Sequence, residues 1–466
     1  MSVVGKERVE ITPLNQPAGG SYSFKGGFPI VQFQIPQEPK FLDGSSVRLN
    51  GTLRVCQPTS TDAVPILANN ANNKLTGAFD TCLSSRVGVA SCLDQIILSS
   101  MTNQSLEVVR SYGRYIASAQ SVTHSQEDFD TNVSLSSLSA SRQLNGALLV
   151  NQDVSFAIPL RTGLLSGAGS IPIGMNGLRG LQMELQLAPD QQVLSGYVDN
   201  AGNTQNDSAT GTGSFYQLRD LTLSYDLLIP DSDTMDKMSV PSTGSLEYNS
   251  VSQLYSVINS SDQTQTYNLG TAKTLSVFNS FIPTTHINSY AHDGFSTGTL
   301  KNLVAGAYTQ EAPIKRVSFL KAGQLFPVEN EVDVQPPTPF PAGVKRPQSE
   351  LDKLFIGSIK PAHLQNHSLM SLNTNDDIST AVSATDGKDL IISGTPKQQF
   401  QLADRAPVFG VGCSMDVYRS GVDFSRDTYS VRIVSELDGS SPNSMYTYIL
   451  SKNVLTYSPQ GISVMA

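Results

Sequence analysis

Strict alternation of apolar and polar residues marks the segment Leu181–Leu187, which reads L-Q-M-E-L-Q-L. Side chains on a β-strand point to opposite faces with period two, so the leucines and the methionine face one way and the Gln and Glu residues the other. This is typical of a half-buried antiparallel strand. The pattern recurs at Phe28–Pro36, Val47–Val55, Leu221–Leu227 and Tyr429–Val434. The chain is therefore predicted to be an all-β protein.

Weaker signals extend this pattern along both halves of the chain. Further strands are predicted at Val154–Leu160, Thr264–Leu269, Lys273–Ile282 and Tyr446–Tyr457. Gln95–Met101 and Ser105–Val109 are predicted to form a hairpin, and Ile314–Pro327 a strand, a Gly turn and a second strand. Short helices are predicted at Tyr112–Val122 and Ser349–Ile359. Polar segments rich in Gly, Asn, Ser and Thr are predicted to be long loops at residues 57–76, 190–214, 283–312 and 371–397. Loops of that length in a compact domain are usually functional or mobile.

The length of 466 residues exceeds one ordinary β-sandwich and suits two. Residues 1–27 contain several Pro and Gly residues and are predicted to form an extended arm. Residues 28–230 form the first predicted domain, the charged and then Pro/Ser/Gly-bearing segment 231–245 the linker, and residues 246–466 the second domain. Neither half contains repeated βα units, which favours two jelly rolls in series.

Composition narrows the classes of partner. Charged residues make up 15% of the chain, against about 25% in typical soluble domains. Low charge favours surfaces that pack against copies of themselves, because fewer ions lose their hydration; a Ser/Thr-rich β protein without such contacts has the same composition. The net charge of −9 and the lack of a Lys/Arg cluster argue against direct binding of nucleic acid.

The chain shows no apolar stretch near the length of a membrane span, and its first residues have no apolar core of a secretory signal. We therefore expect neither a membrane span nor secretion through a signal peptide. The four cysteines form no CxxC pair, so free and mostly buried thiols are expected. A disulfide between Cys82 and Cys92 is the alternative.

Motifs for catalysis or metal binding are weak. Gly294–Gly298 matches the G-x-S-x-G nucleophile motif around Ser296, but its flanks have the composition of a loop instead of a strand and a helix. His363 and His367 have helical i,i+4 spacing without the Glu of a zinc-protease motif. Glu184 has no partner carboxylate set by spacing. We expect no enzyme activity, no catalytic residue, no cofactor and no metal site.

Four stretches carry a family resemblance. The first is the strand ending in IPL, followed by IPIG and GLRGLQMELQLAP within Asn151–Pro189; the others are FQIPQEPKFLD, the strand–KAGQ–LFP segment, and the G-x-D-F connection into the terminal hairpin. Taken together, in their order along the chain, they resemble the double jelly-roll major capsid proteins of Polinton-like viruses, adintoviruses and virophages. The resemblance implies two consecutive eight-stranded jelly rolls with short helices in loops.

The same resemblance implies a structural role. It predicts a homotrimer whose six jelly rolls form a pseudo-hexagonal capsomer, which tiles the icosahedral shell of a virus with double-stranded DNA. The partners would be neighbouring capsomers, minor capsid proteins and penton proteins, and the location the virion, assembled inside the host cell. Terminal arms would lock neighbouring copies beneath the shell.

Two other functions fit a β-sandwich chain. One is a carbohydrate-binding or carbohydrate-active protein, against which the complete lack of Trp argues, because sugars commonly stack on Trp. The other is a minor or vertex capsid protein. Those usually have a single jelly roll, whereas this sequence predicts two.

Overall fold

The structure is a computed structural model. It describes residues 3–56, 81–83, 87–123, 153–167, 170–174, 178–196, 215–239, 243–284, 287–288, 295, 300–304, 307–310, 314–326, 331–333, 409–412, 421–435, 442–458 and 461–465. Every pairing between the strands described in these ranges is antiparallel. The prediction of an all-β chain is therefore confirmed.

The first sandwich comprises the strands up to Pro230. In chain order they are β1 (Val3–Ile11), β2 (Ser21–Tyr22), β3 (Ile30–Ile35), β4 (Phe41–Cys56), β5 (Thr81–Leu83), β6 (Leu93–Ser100), β7 (Ser105–Val109), β8 (Val154–Pro159), β9 (Ser170–Ile171), β10 (Leu181–Leu187), β11 (Leu194–Gly196) and β12 (Phe215–Pro230). A six-stranded sheet has the order β1-β12-β4-β8, with β2 beside β12 and β9 beside β4. A four-stranded sheet has the order β3-β10-β6-β7, and β5 pairs with β11.

The second sandwich comprises the strands from Gly244 onward. They are β13 (Gly244–Ile258), β14 (Asp262–Tyr267), β15 (Thr274–Pro283), β16 (Leu300–Val304), β17 (Ala307–Gln310), β18 (Ile314–Lys321), β19 (Gln324–Leu325), β20 (Glu331–Asp333), β21 (Phe409–Gly412), β22 (Tyr429–Ser435), β23 (Asn443–Ser458) and β24 (Gly461–Met465). One sheet has the order β13-β23-β15-β21 with β24 beside β23, and the other has the order β14-β22-β18-β19 with β20 beside β18. Strands β16 and β17 form a separate hairpin.

Helices are short and lie between strands. They are α1 (Tyr112–Thr123), α2 (Gly163–Gly167), α3 (Asp190–Val193) and α4 (Ser232–Ser239), with a 3₁₀ turn at Gly88–Cys92. Helix α4 lies in the predicted linker, and strands on its two sides do not pair with one another within the described residues. This change of pairing supports the division into two domains at residues 231–245, which stays a prediction.

The alternation of the sequence matches the burial of the strands. On β10, Leu181, Met183 and Leu185 are fully buried, while Gln182 and Gln186 are half-buried. Strand β3 alternates in the same way, with Val31, Phe33 and Ile35 in the core. A proline follows each strand: Pro36 comes directly after β3, and Pro189 lies two residues beyond the end of β10. Because proline has no N–H for the ladder, it stops pairing there. The predicted register is confirmed for both strands.

The structure departs from the sequence-based expectations at four places. Within the predicted extended arm 1–27, Val3–Ile11 pairs with β12 at the edge of the six-stranded sheet and so belongs to the first sandwich. Strand β13, which the sequence did not predict, pairs with β23 over fifteen residues. The predicted loop 283–312 contains the hairpin of β16 and β17. The predicted loop 190–214 begins with α3 and with β11, which pairs with β5. The predicted helix Ser349–Ile359 and the loops 57–76 and 371–397 lie outside the described residues.

Candidate functional site

The two sandwiches of one chain meet at a buried contact, called the junction below. It is formed by β7, α1 and α2 of the first sandwich and by β13, β15 and β23 of the second. Its centre is aromatic: the Tyr115 ring on α1 lies 6.2 Å from the Phe278 ring and 5.6 Å from the Tyr448 ring, measured between centroids. The Phe278 and Tyr448 rings are themselves 5.3 Å apart. Such ring clusters add directional attraction to the burial of apolar area.

Strand β23 is buried on both faces where it passes the junction. Residues 443–449 are all buried, although only alternate positions can face the core of their own sandwich. Met445 pairs with Phe281 on one face, while Tyr446 and Tyr448 point to the other face, toward α1. Burial on both faces removes the apolar/polar alternation, and here the buried positions include the polar residues Asn443, Ser444 and Thr447.

Arg114 of α1 is buried in this aromatic setting, with 1% of its surface exposed. Its guanidinium carbon lies 4.5 Å from the Tyr446 ring centroid and 5.7 Å from that of Phe295. A planar, weakly hydrated cation stacks well on aromatic faces, so Arg suits this position better than Lys. The Arg114 charge also acts on Asp94: burial raises the pKa of that carboxyl, and the guanidinium offsets part of the rise.

A second charged residue, Glu107 of β7, binds both sandwiches. Its Oε1 accepts hydrogen bonds from the backbone N–H groups of Gly163, at 2.9 Å, and Val251, at 2.8 Å, and its Oε2 accepts one from Leu164 at 2.8 Å. Burial raises the pKa of Glu107, while these N–H donors act in the opposite direction by favouring the carboxylate. Because Val251 belongs to β13, the carboxylate covers a polar backbone group that an edge strand would otherwise expose.

Tyrosine hydroxyls and one glycine complete the junction. Tyr248 donates to the Leu106 carbonyl at 2.8 Å, and Tyr448 donates to the Ser111 carbonyl at 3.2 Å. At Gly163 a Cβ atom would lie 2.3 Å from the Asn249 carbonyl oxygen, so only glycine allows this approach. Aromatic packing and hydrogen bonds from both sandwiches therefore hold the two units of one chain in a fixed arrangement.

The outer face of the six-stranded sheet is charged. Lys6 on β1 lies 2.9 Å from the Asp226 carboxylate and 3.4 Å from that of Asp43, and Arg54 on β4 forms a bidentate pair with Asp153. These ion pairs are partly exposed, so each contributes little to stability. The charged composition of this face is typical of a surface exposed to solvent.

The outer face of the four-stranded sheet has a different chemistry and is called the amide face below. Residues opposite one another on β3, β10 and β6 form three rows: Gln34, Gln182 and Ser99; Gln32, Glu184 and Ile97; Ile30, Gln186 and Gln95. Glu184 is the single charged residue of these rows, and it accepts hydrogen bonds from Gln32 Nε2 and Gln186 Nε2, both at 3.1 Å. Its carboxylate is thus held by neutral amides of its own face.

Exposed apolar side chains lie at the β3 edge of the amide face. Leu14, Phe28 and Ile30 are 60%, 53% and 37% exposed. Leu14 donates its backbone N–H to the Gln32 carbonyl at 2.8 Å, which places it beside β3. Clusters of exposed apolar residues at the rim of a neutral face are typical of surfaces that meet another protein.

One end of the first sandwich holds a buried carboxylate, Asp190. It accepts a hydrogen bond from the backbone N–H of Tyr216 at 3.0 Å, and the Lys25 backbone also donates to it. Burial raises its pKa to about 6. Lys25 in turn places its Nζ 4.5 Å from the Phe215 ring centroid. Asp190 therefore connects the start of β12 to the hairpin around Lys25.

Of the residues that the sequence singled out for chemistry, only Glu184 lies in the part of the chain that the structure describes. Ser296, His363 and His367 lie outside the described residues, and Glu184 belongs to the amide face. Cys92 is a buried free thiol, which rules out the alternative of a disulfide with Cys82. No cluster of three metal-ligating residues occurs among the described residues. In the same part of the chain, no helix has the length and apolar character needed to cross a membrane.

Sequence reasoning did not find Glu107 or Arg114. Each is a charged residue in a largely apolar segment: Glu107 in S-L-E-V-V and Arg114 in Y-G-R-Y-I. This local contrast is the sequence feature that could have indicated a buried charge. A charge at such a position is buried only when it is paired or hydrogen-bonded. The partners, however, lie in distant parts of the chain, so the sequence did not show which contacts stabilise them.

Comparison with solved structures gives matches over the full chain. The chain is similar to the PBCV-1 virus capsid protein, with a TM-score of 0.55 and 11% identity over 100% of this chain and 98% of that one. The Faustovirus major capsid protein gives a TM-score of 0.57 and 10% identity over 97% and 90%. The Sputnik virophage structure gives a TM-score of 0.55 and 9% identity over 100% and 89%.

No protein-family model matches the chain, and no curated protein matches it in sequence. The likeness is therefore one of fold. It confirms the fold part of the sequence resemblance, including two jelly rolls in one chain. The chain has the fold of the double jelly-roll major capsid proteins of double-stranded DNA viruses and virophages.

Proposed function

We propose that this chain is the major capsid protein of a double-stranded DNA virus. The observation that carries the proposal is a full-length match to double jelly-roll capsid proteins, in a chain whose two sandwiches are fixed at a buried, hydrogen-bonded junction. A fixed pair of similar units is what a rigid building block requires. The role is mechanical, and no residue is assigned to catalysis.

The quaternary structure follows from the two sandwiches. Three chains, each with two lobes, give six lobes around one axis, and a six-lobed particle packs on a hexagonal lattice. Contacts between different surfaces of identical chains close into a ring without leaving a free end. We therefore assign the functional unit as a homotrimeric, pseudo-hexagonal capsomer that tiles an icosahedral shell.

The remaining parts of the proposal concern partners and location. Neighbouring capsomers, minor capsid proteins and penton proteins are the proposed partners, and the virion is the proposed location. The acidic net charge of −9 supports contacts with proteins over direct contacts with nucleic acid. Low overall charge supports the same conclusion, since interfaces are poor in ions at their centres.

Light scattering coupled to size exclusion tests the proposal. A trimer of the 50.0 kDa chain has a mass of about 150 kDa. That mass, unchanged over a tenfold dilution, is the expected result. A stable monomer or a two-fold dimer at micromolar concentration would refute the capsomer and favour a carbohydrate-binding protein or a minor capsid protein.

A further inference from the structure

The two outer faces of the first sandwich differ in the number of charged side chains they carry. Both are antiparallel sheets of one sandwich, yet the six-stranded sheet carries ion pairs such as Lys6–Asp226 and Arg54–Asp153. The amide face carries Glu184 alone among its three rows, and two Gln side chains hold that carboxylate. Uncharged amides lose less solvation free energy than ions when a second surface covers them.

Charge also distinguishes the faces for contact between identical chains. Each copy carries a net charge of −9, so two copies repel one another on average. A contact between copies is least opposed where the surface carries almost no charge of its own. Amide groups both donate and accept hydrogen bonds, so they can pair with an opposing polar surface without needing an ion of opposite sign.

The apolar rim gives such a contact its hydrophobic contribution. Ile30 lies in one row of the amide face, opposite Gln186, and Leu14 and Phe28 lie along the same edge strand. All three are more than one third exposed. A face with few charges and exposed Leu, Ile and Phe at its edge shares with interface centres their poverty in ions, whereas the ion pairs of the other face would lose their hydration when covered.

We propose that the amide face of each chain is covered by a second copy of the same chain inside the oligomer. The inference rests on the proposed function, because it assigns the face through which the capsomer closes. The occupant is a copy of this chain, since the neutral face offers identical acidic molecules a contact without charge repulsion.

The test compares one substitution on each face. Gln182→Glu adds a charge to the amide face, and Gln217→Glu adds the same charge to β12, whose Gln217 pairs with Arg54 in the charged sheet. Gln182→Lys is the second amide-face variant, because a lysine beside Glu184 preserves the fold if the added carboxylate does not. Sedimentation velocity gives the mass of each protein, and circular dichroism checks its folding.

The expected result is an oligomer for the wild type and for Gln217→Glu, and a dissociation constant raised about a hundredfold or more for both Gln182 variants, since an unpaired charge buried in an interface costs this much binding. Unchanged oligomers of the Gln182 variants would overturn the assignment of the face and leave the proposed function standing. Equal weakening by Gln217→Glu would overturn it as well. A monomeric wild type would instead refute the proposed function.

Discussion

Glu107→Gln is the change that most directly tests the junction. The carboxylate accepts three backbone hydrogen bonds, from Gly163, Leu164 and Val251, with both of its oxygens. Glutamine keeps the shape and one acceptor oxygen, but its amide nitrogen donates and cannot accept. At least one of the three N–H groups therefore loses its partner and faces another donor.

The magnitude follows from that geometry. A buried N–H without an acceptor costs about 1–3 kcal/mol, and the bonds that remain lose the strength that the charge gave them, on the order of 1 kcal/mol. A neutral glutamine offsets part of this loss of stability. It avoids the cost of burying a charge, which is also what raises the pKa of Glu107. We expect the free energy of unfolding to fall by about 2–3 kcal/mol.

Urea unfolding followed by circular dichroism measures this loss, and hydrogen exchange locates it. The amides of Leu164 and Val251 should exchange faster in the variant, while the amides of β10 keep their protection. Glu247→Gln is the matched control: Glu247 also lies near the second sandwich edge, on β13, but its pair with Lys273 at 3.4 Å is exposed. It should change stability by less than about 0.5 kcal/mol. Equal effects of the two substitutions, with unchanged exchange at Val251, would refute the role of Glu107.

Three further predictions concern separate parts of the chain. Leu185→Asp places an unpaired charge in the core and should abolish soluble expression, whereas Gln186→Glu changes a side chain on the outer face and should leave the chain folded and soluble; equal soluble yields would contradict the assignment of Leu185 to the buried face of β10. Burial raises the pKa of Asp190 to about 6, so this residue stabilises the folded state less as the pH rises through 6. From pH 4 to pH 7, the free energy of unfolding of Asp190→Asn, measured with urea, should therefore rise by about 2–3 kcal/mol relative to that of the wild type. A difference between the two proteins that stays constant over this range would contradict the sign of the effect. Ser296→Ala should leave the turnover of a panel of esters and glycosides unchanged. If the substitution abolished hydrolysis by the wild-type protein, the interpretation of the chain as a purely structural protein would be wrong.

Strands with one buried face could be predicted from the sequence. Leu181–Leu187 and Val31, Phe33 and Ile35 alternate because one side meets the core and the other side does not. The period-two signal is then a direct record of burial. The same reasoning predicted the hairpin of β6 and β7, where the turn residue Asn103 has a positive φ of 62°.

Strands whose environment changes along their length could not be predicted in the same way. Strand β13 contacts the junction at Tyr248 and Val251, is partly exposed on either side of them, and is buried again at Ile258, so its apolar residues follow no single period. Strand β1 lies at a sheet edge and is mostly exposed, with Lys6 and Arg8 on one side. Charged residues on an edge strand prevent unwanted pairing, and they also remove the apolar pattern that reveals a strand.

The junction depended on contacts that are distant in sequence. Glu107 and Val251 are 144 residues apart, and Tyr448 and Ser111 are 337 apart. Local patterns report whether a residue is buried, but they do not report which distant segment buries it. The resemblance to capsid proteins predicted two jelly rolls in series. The residues that join them could be identified only in the structure.

The shape of the purified oligomer tests the central claim most directly. Class averages of single particles, viewed down the symmetry axis, should show three copies of a two-lobed chain as six lobes with a hexagonal outline, because each junction fixes two sandwiches side by side. The same particles should have the mass of three 50.0 kDa chains, about 150 kDa. Averages with a single two-lobed particle, or with two-fold symmetry, would contradict the claim that this chain builds a capsid.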